Sequence, residues 1–217
     1  MNSDQSLIIL NLVSSYFVII PIVFGIVYKV RTKPSIKPIF LLLIISLVVE
    51  FISTFLSYQN YNNIAIINLF TFVEFLFIVL FYKTFFDAFL KTKIHYVLIL
   101  LFSLLIIFTT ILSNNIKLID NLSVSIEAIL LIFYSLFSLF IIMKNLIYED
   151  LLATPFFWIN SAVLIYFSGN LFLFIFSNYL QKHNESSGYL QLYVIHSALN
   201  ILYYIILSIA FWKARKL

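Results

Sequence analysis

The chain has 217 residues, 63% of them hydrophobic and 10% charged, with a mean hydropathy of +1.09. A soluble domain carries about 25% charged residues, and a core built from so short a chain cannot hide this excess, so the sequence reads as an integral membrane protein. With no cysteine, disulfides, thiolate metal sites and cysteine nucleophiles are excluded, and with 3 glycines there is no Gly-rich nucleotide loop. The net charge of +4 is read as membrane orientation, and nucleic acid is not an expected partner.

A hydrocarbon core of roughly 30 Å asks for about 20 apolar residues per helix. Seven stretches qualify, at 7–28, 39–58, 64–86, 94–112, 122–143, 156–180 and 189–212. They are twice the length of the roughly 10-residue alternating segments of a β-barrel and apolar on nearly all sides. The expected fold is therefore all-α, a seven-transmembrane-helix bundle forming a single transmembrane domain over 1–217. The first stretch is not preceded by a basic segment or followed by a small-residue cleavage site, so it is expected to be a retained helix. Gln59, Asn60, Tyr61, Asn62 and Asn63 are the whole link between the second and third stretches, which predicts a tight helical hairpin.

Charge orients the bundle. With the amino terminus outside, Lys29, Arg31, Lys33, Lys37, Lys83, Lys91, Lys93, Lys144, Lys213, Arg215 and Lys216 are all cytoplasmic, and the outside keeps only Lys117 and Lys182. That asymmetry follows the positive-inside rule, so the carboxyl terminus is expected inside, with the bacterial inner membrane as the location. Trp158 and Trp212 near the inner boundary fit the same scheme. Asn184-Glu185-Ser186 in the last outer loop matches a glycosylation sequon. It is discounted, because the Ile-, Asn-, Phe- and Lys-rich composition suggests a bacterial source.

Two blocks share features. The first and fifth stretches end in Lys29 and Lys144 and are followed by Pro38-Ile39-Phe40 and Pro155-Phe156-Phe157. The third ends Phe81-Tyr82-Lys83 and the seventh Phe211-Trp212-Lys213. A 3+1+3 parallel repeat, of the sort known in small transporters, accounts for this. So does the interfacial preference of aromatic and lysine side chains at inner helix ends. The fourth stretch has only Ser103, Thr109 and Thr110 as polar members and is expected to face lipid.

Ionisable groups inside the membrane are the candidate functional residues, because a charge at the bilayer centre costs roughly 2.5–3.5 kcal/mol even on the lenient insertion scale. Glu50 and Glu74 lie near the midplane, at depths of roughly 15 Å by helical rise. Glu127 is nearer the outer edge, where a carboxylate either snorkels or joins the interior. His196 and, one turn deeper, Asn200 share a helix face, and Asn170 falls at a similar level. Polar stripes at helical spacing (Ser46, Glu50, Ser53 and Ser57; Glu127, Tyr134 and Ser138; Tyr193, His196, Asn200 and Tyr203) should face the bundle interior. The candidate ligand or ion site is thus Glu50, Glu74, Glu127, Asn170, His196 and Asn200, in a polar outer half. The asparagines, Asn160 among them, also suit interhelical hydrogen bonding. His95 and His183 fall at the boundaries and are expected to be solvated.

Opsin chemistry is disfavoured because Asn200 stands at the level where a retinal lysine would be. No His-Glu-x-x-His helix, Gly-x-Ser-x-Gly elbow, P-loop or dinucleotide signature is present, so no catalytic residue, cofactor or metal is expected. Phe167-Ser168-Gly169-Asn170 reads as a packing notch at Gly169.

Three passages carry a resemblance. Pro155 to Tyr179, with Asn160, Ser161, Ser168 and Gly169, resembles the sixth helix of a group of small bacterial seven-helix membrane proteins. Ile195-His196-Ser197-Ala198-Leu199-Asn200-Ile201 resembles their seventh, and Phe72-Val73-Glu74-Phe75 their third. The resemblance implies a stand-alone membrane protein and brings no assigned activity. The leading expectation is a non-enzymatic sensor or receptor-like subunit that binds a small ligand, lipid or ion and signals to a cytoplasmic or membrane partner. The alternatives are a small proton-coupled transporter using Glu50 and Glu74, a membrane-embedded lipid enzyme, and a structural or defence-system subunit.

Overall fold

The computed structural model describes residues 10, 12–87, 93–112, 121–145, 147, 149–182 and 186–216. For 110–112, 121, 174–182, 186–191, 193 and 216 the description is of backbone alone. Lys91, Lys117, His183 and the sequon residues Asn184 and Glu185 lie outside the described residues.

Among the described residues the regular structure is helical throughout. The long helices are α1 (Leu12–Val27), α2 (Lys37–Tyr58), α3 (Ile64–Phe86), α4 (Ile94–Leu112), α5 (Asn121–Asn145), α6 (Pro155–Lys182) and α7 (Ser186–Lys213). Five of them, α2, α3, α5, α6 and α7, are long and apolar enough over their described residues to cross a membrane, while α1 and the described part of α4 are shorter apolar helices. The architecture is an all-helical bundle of membrane-protein character.

Local chemistry sets the helix ends. The turn at Phe17 and Val18 breaks α1 because Pro21 has no N–H to donate and its ring crowds the carbonyl four residues back. The Phe17 carbonyl is taken instead by Ile20 N at 3.0 Å. Lys29 turns the chain out of α1 at φ 54°, and Pro38 sits in the first turn of α2, where a missing N–H costs nothing. Asn60, at φ 59°, makes the α2–α3 hairpin, a left-handed conformation that asparagine tolerates. The side chain of Asn63 then clamps the hairpin by donating to Ser53 Oγ at 2.7 Å. Before α6, Asp150 caps a short 3-10 turn by accepting from Leu152 N and Ala153 N.

Helices α1, α2, α3, α5, α6 and α7 form a closed ring in that order, with α7 returning to α1. Helix α4 stands outside it against α3 and α5. The outward faces are apolar, from Phe51 and Phe55 on α2 to Phe133 and Phe140 on α5, as a hydrocarbon surrounding requires. On α4 the exposed set includes Val97, Leu100, Leu104 and Phe108. Ser103 returns its hydroxyl to Leu100 O, so it makes no demand on a neighbour.

Two glycines inside helices, Gly25 and Gly169, are contact points. A Cβ on Gly25 of α1 would stand 2.4 Å from the Phe40 ring of α2, and one on Gly169 of α6 2.7 Å from the tip of Leu199 on α7. Close approach at single glycines therefore replaces a Gly-x-x-x-Gly seam. A leucine tip can rotate away, whereas the Phe40 ring is fully buried and also packs against Phe211. Gly25→Ala should thus lower the thermal midpoint of the purified protein clearly more than Gly169→Ala. Equal effects would show that the α1–α2 contact is slack.

Candidate functional site

The α3–α5 seam carries the polar interior. Glu127 is 1% exposed, so its side chain lies inside the bundle and not on its surface. Glu74, half-buried on α3, lies within electrostatic reach of Glu127. Tyr166 of α6 and Tyr203 of α7 complete the surroundings, each within reach of both carboxyls. Their rings pack at 4.7 Å between centroids. Glu127 Oε1 and the Tyr203 hydroxyl are buried without a hydrogen-bond partner among the described residues. An orphaned polar atom in such a place carries a penalty of a few kcal/mol, and here one belongs to the acidic pair and the other to a tyrosine within electrostatic reach of it.

Between α6 and α7, His196 Nδ1 meets Asn170 Oδ1 at 2.7 Å. The Asn170 amide nitrogen donates to Tyr166 O at 2.9 Å, which fixes the amide orientation. Oδ1 can only accept, so Nδ1 of His196 carries the proton and Nε2 is left as the basic nitrogen of the neutral ring. Asn170 is fully buried, and the His196 ring lies 6.3 Å from that of Tyr166.

Glu50 and Asn200 stand apart from this centre. Glu50 is half-buried on α2 and makes no hydrogen bond with Glu74 among the described residues. The two carboxyls share a neighbour, Tyr204, which lies within electrostatic reach of both and beside Ser46. Asn200 reaches across to α1, donating to Ser14 O at 3.4 Å. The α5 stripe of Glu127, Tyr134 and Ser138 is wholly buried, whereas on α2 Ser53 is buried and Ser57 exposed. Helix α2 thus leaves the ring's interior towards its hairpin end.

Two polar centres exceed what the helical stripes indicated. Two turns along the same seam, Tyr82 stacks on Tyr134 at 5.4 Å and donates to Asn160 Oδ1 at 2.7 Å. Ser135 Oγ meets the same oxygen at 2.9 Å and Ser138 Oγ at 3.0 Å. A carbonyl oxygen offers two lone pairs. Ser138 has the Tyr134 carbonyl at 2.8 Å for its one proton, so Tyr82 and Ser135 satisfy Oδ1. Asn160 thereby clasps α3, α5 and α6. Its burial is legible from its place in an apolar stretch; its partners are not.

The second is His95, expected at a solvated boundary but 1% exposed. Its ring stacks on Phe86 at 5.6 Å, and Nδ1 meets the Tyr134 hydroxyl at 3.0 Å. The reason for the correction is rotational. The first turn of α4 points His95 at the α3–α5 seam, while Tyr96 faces outward beneath Lys83, which is bridged to Asp87 at 2.7 Å.

A divalent metal held by protein groups wants three or more ligands. Among the described residues no three His, Cys, Asp or Glu side chains converge. Two carboxyls in a medium of low dielectric repel strongly when both are charged. One proton or one monovalent cation shared between them removes that repulsion. Glu127→Gln should keep the fold, because the amide preserves shape and removes charge. Asn160→Leu should lower stability by about 1–2 kcal/mol, since it strands the Tyr82 and Ser135 donors. Tryptophan-monitored thermal unfolding in detergent reads both. A Glu127→Gln protein less stable than Asn160→Leu would mean that the acidic pair is a structural tie.

No protein-family model, curated protein or solved structure matches the chain.

Proposed function

We propose that the chain is a non-enzymatic bacterial inner-membrane protein that binds a proton or small monovalent cation at Glu74 and Glu127. In this reading it is a receptor-like subunit, whose occupancy sets the packing of α3 against α5. The observation that carries it is the buried Glu127, within electrostatic reach of Glu74 and Tyr203, whose Oε1 and the Tyr203 hydroxyl have no hydrogen-bond partner among the described residues.

The chain is proposed to cross the membrane seven times, with α1 and α4 as short spans and the amino terminus outside. The charge asymmetry supports this. A cysteine-free sequence makes the test clean: Ser35→Cys should resist an impermeant thiol reagent applied from outside, and labelling from outside would reverse the orientation.

A proton-coupled transporter is the second reading, and the ring favours it. If α1–α3 and α5–α7 are repeats, exchanging them maps the α1–α7 contact onto α5–α3 and the α1–α2 and α2–α3 contacts onto α5–α6 and α6–α7, with α4 as the external link.

Infrared difference spectra after a pH step should show a carboxylic-acid band that Glu127→Gln or Glu74→Gln diminishes and Glu50→Gln leaves in place. A spectrum unchanged by Glu127→Gln would end the proton-binding reading. Proton flux in proteoliposomes, abolished by the same two substitutions, would decide for the transporter.

A further inference from the structure

A second site lies on the outside of the ring. A groove of about 310 Å³ follows the α1–α7 contact, lined by Ile20, Phe24, Ile205, Ser208, Ile209 and Trp212. Its one hydroxyl, Ser208, donates to Tyr204 O at 2.7 Å, so apart from the Trp212 indole N–H the lining side chains are apolar or already satisfied. From Ile205 to Trp212 the groove runs about 10 Å by helical rise, against roughly 15 Å for one leaflet of a 30 Å hydrocarbon core.

The Trp212 end is cationic. The Arg215 guanidinium lies 4.4 Å from the indole centre, and the Lys213 ammonium 5.2 Å. Lys33 donates to the Ala214 carbonyl between them. That bond draws the segment after α1, with Lys29, Arg31 and Lys37, against the same end of α7. No Asp or Glu occurs between Gln5 and Val49 or between Ser186 and Leu217, so nothing acidic on these segments offsets the charge.

We propose that this groove binds an anionic phospholipid, with an acyl chain along Ile20, Phe24, Ile205 and Ile209 and the phosphate at Lys213 and Arg215. A guanidinium set over an indole is positioned at this end of the groove, and it can meet a phosphate with two parallel bonds. A partner helix fits the groove less well. Close helix packing uses small residues, and the glycine of this stretch of α1, Gly25, is turned inward onto Phe40. The site is independent of the acidic pair and of the direction in which the chain crosses the membrane.

The full chain carrying Trp158→Phe retains Trp212 as its single tryptophan, because the sequence has 2. In detergent, this protein is titrated with phosphatidylglycerol brominated on its acyl chains, and separately with phosphatidylcholine brominated in the same way. The anionic lipid should quench Trp212 at clearly lower concentration. Each of Lys213→Gln and Arg215→Gln should weaken that preference about fivefold, the equivalent of about 1 kcal/mol per cation near an anionic surface. Arg215 is exposed, so its substitution leaves folding aside. Equal quenching by the two lipids, or a preference that survives Arg215→Gln and Lys213→Gln together, would overturn the proposal.

Discussion

Hydrocarbon gives a polar atom no partner, and the interior of this protein is organised around that constraint. Each carbonyl, hydroxyl or carboxyl that enters the bundle must meet another protein group or carry an uncompensated cost. Around Asn160 the accounts close: one amide oxygen, two donors from two helices, and a third hydroxyl turned back on its own helix. Around Glu127 they do not close, since a carboxyl oxygen and the Tyr203 hydroxyl remain unsatisfied within one buried region. The same seam thus holds a satisfied clasp and, at Glu127, Tyr203 and the Nε2 of His95, buried polar atoms without a partner among the described residues.

The ring makes that seam possible. Helix α5 reaches α3 directly because α4, which joins them in sequence, is displaced outward. Had α4 been inserted in the ring, Glu74 and Glu127 would be on non-adjacent helices and Tyr82 could not reach Asn160. The displaced helix is still pinned, by a histidine buried against Phe86 and Tyr134. His95 at its first turn and Thr109, whose hydroxyl meets Ser123 Oγ at 3.2 Å, hold its inner face on the ring, and its outward surface is free to be apolar.

The two proposed sites differ in kind. Glu127 is buried, with Glu74, Tyr166 and Tyr203 within electrostatic reach, the proposed setting for an exchangeable proton or small ion. The α1–α7 groove is open along its length and crowned by cations, a setting for a long amphiphile. Lys33 joins the first connecting segment to the end of α7, so the chain's early and late segments meet at the one place where basic charge is densest.

Composition and hydropathy determined the helical membrane class, because apolar runs of this length have few other stable forms. They also located the helices, the charge asymmetry and the polar residues that interrupt the apolar runs. Periodicity placed Glu127, Tyr134 and Ser138 on one face of α5, and burial agrees with that face. Periodicity gives a face and a depth, but not which neighbour stands opposite. Only the tertiary structure put Glu127 opposite Glu74, left Glu50 across Tyr204, joined Asn160 to Tyr82 and turned His95 inward. Those pairings depend on the order of helices around the ring and on the rotation of each. Both are decided by packing between segments far apart in the chain, such as Gly25 against Phe40 and Gly169 against Leu199.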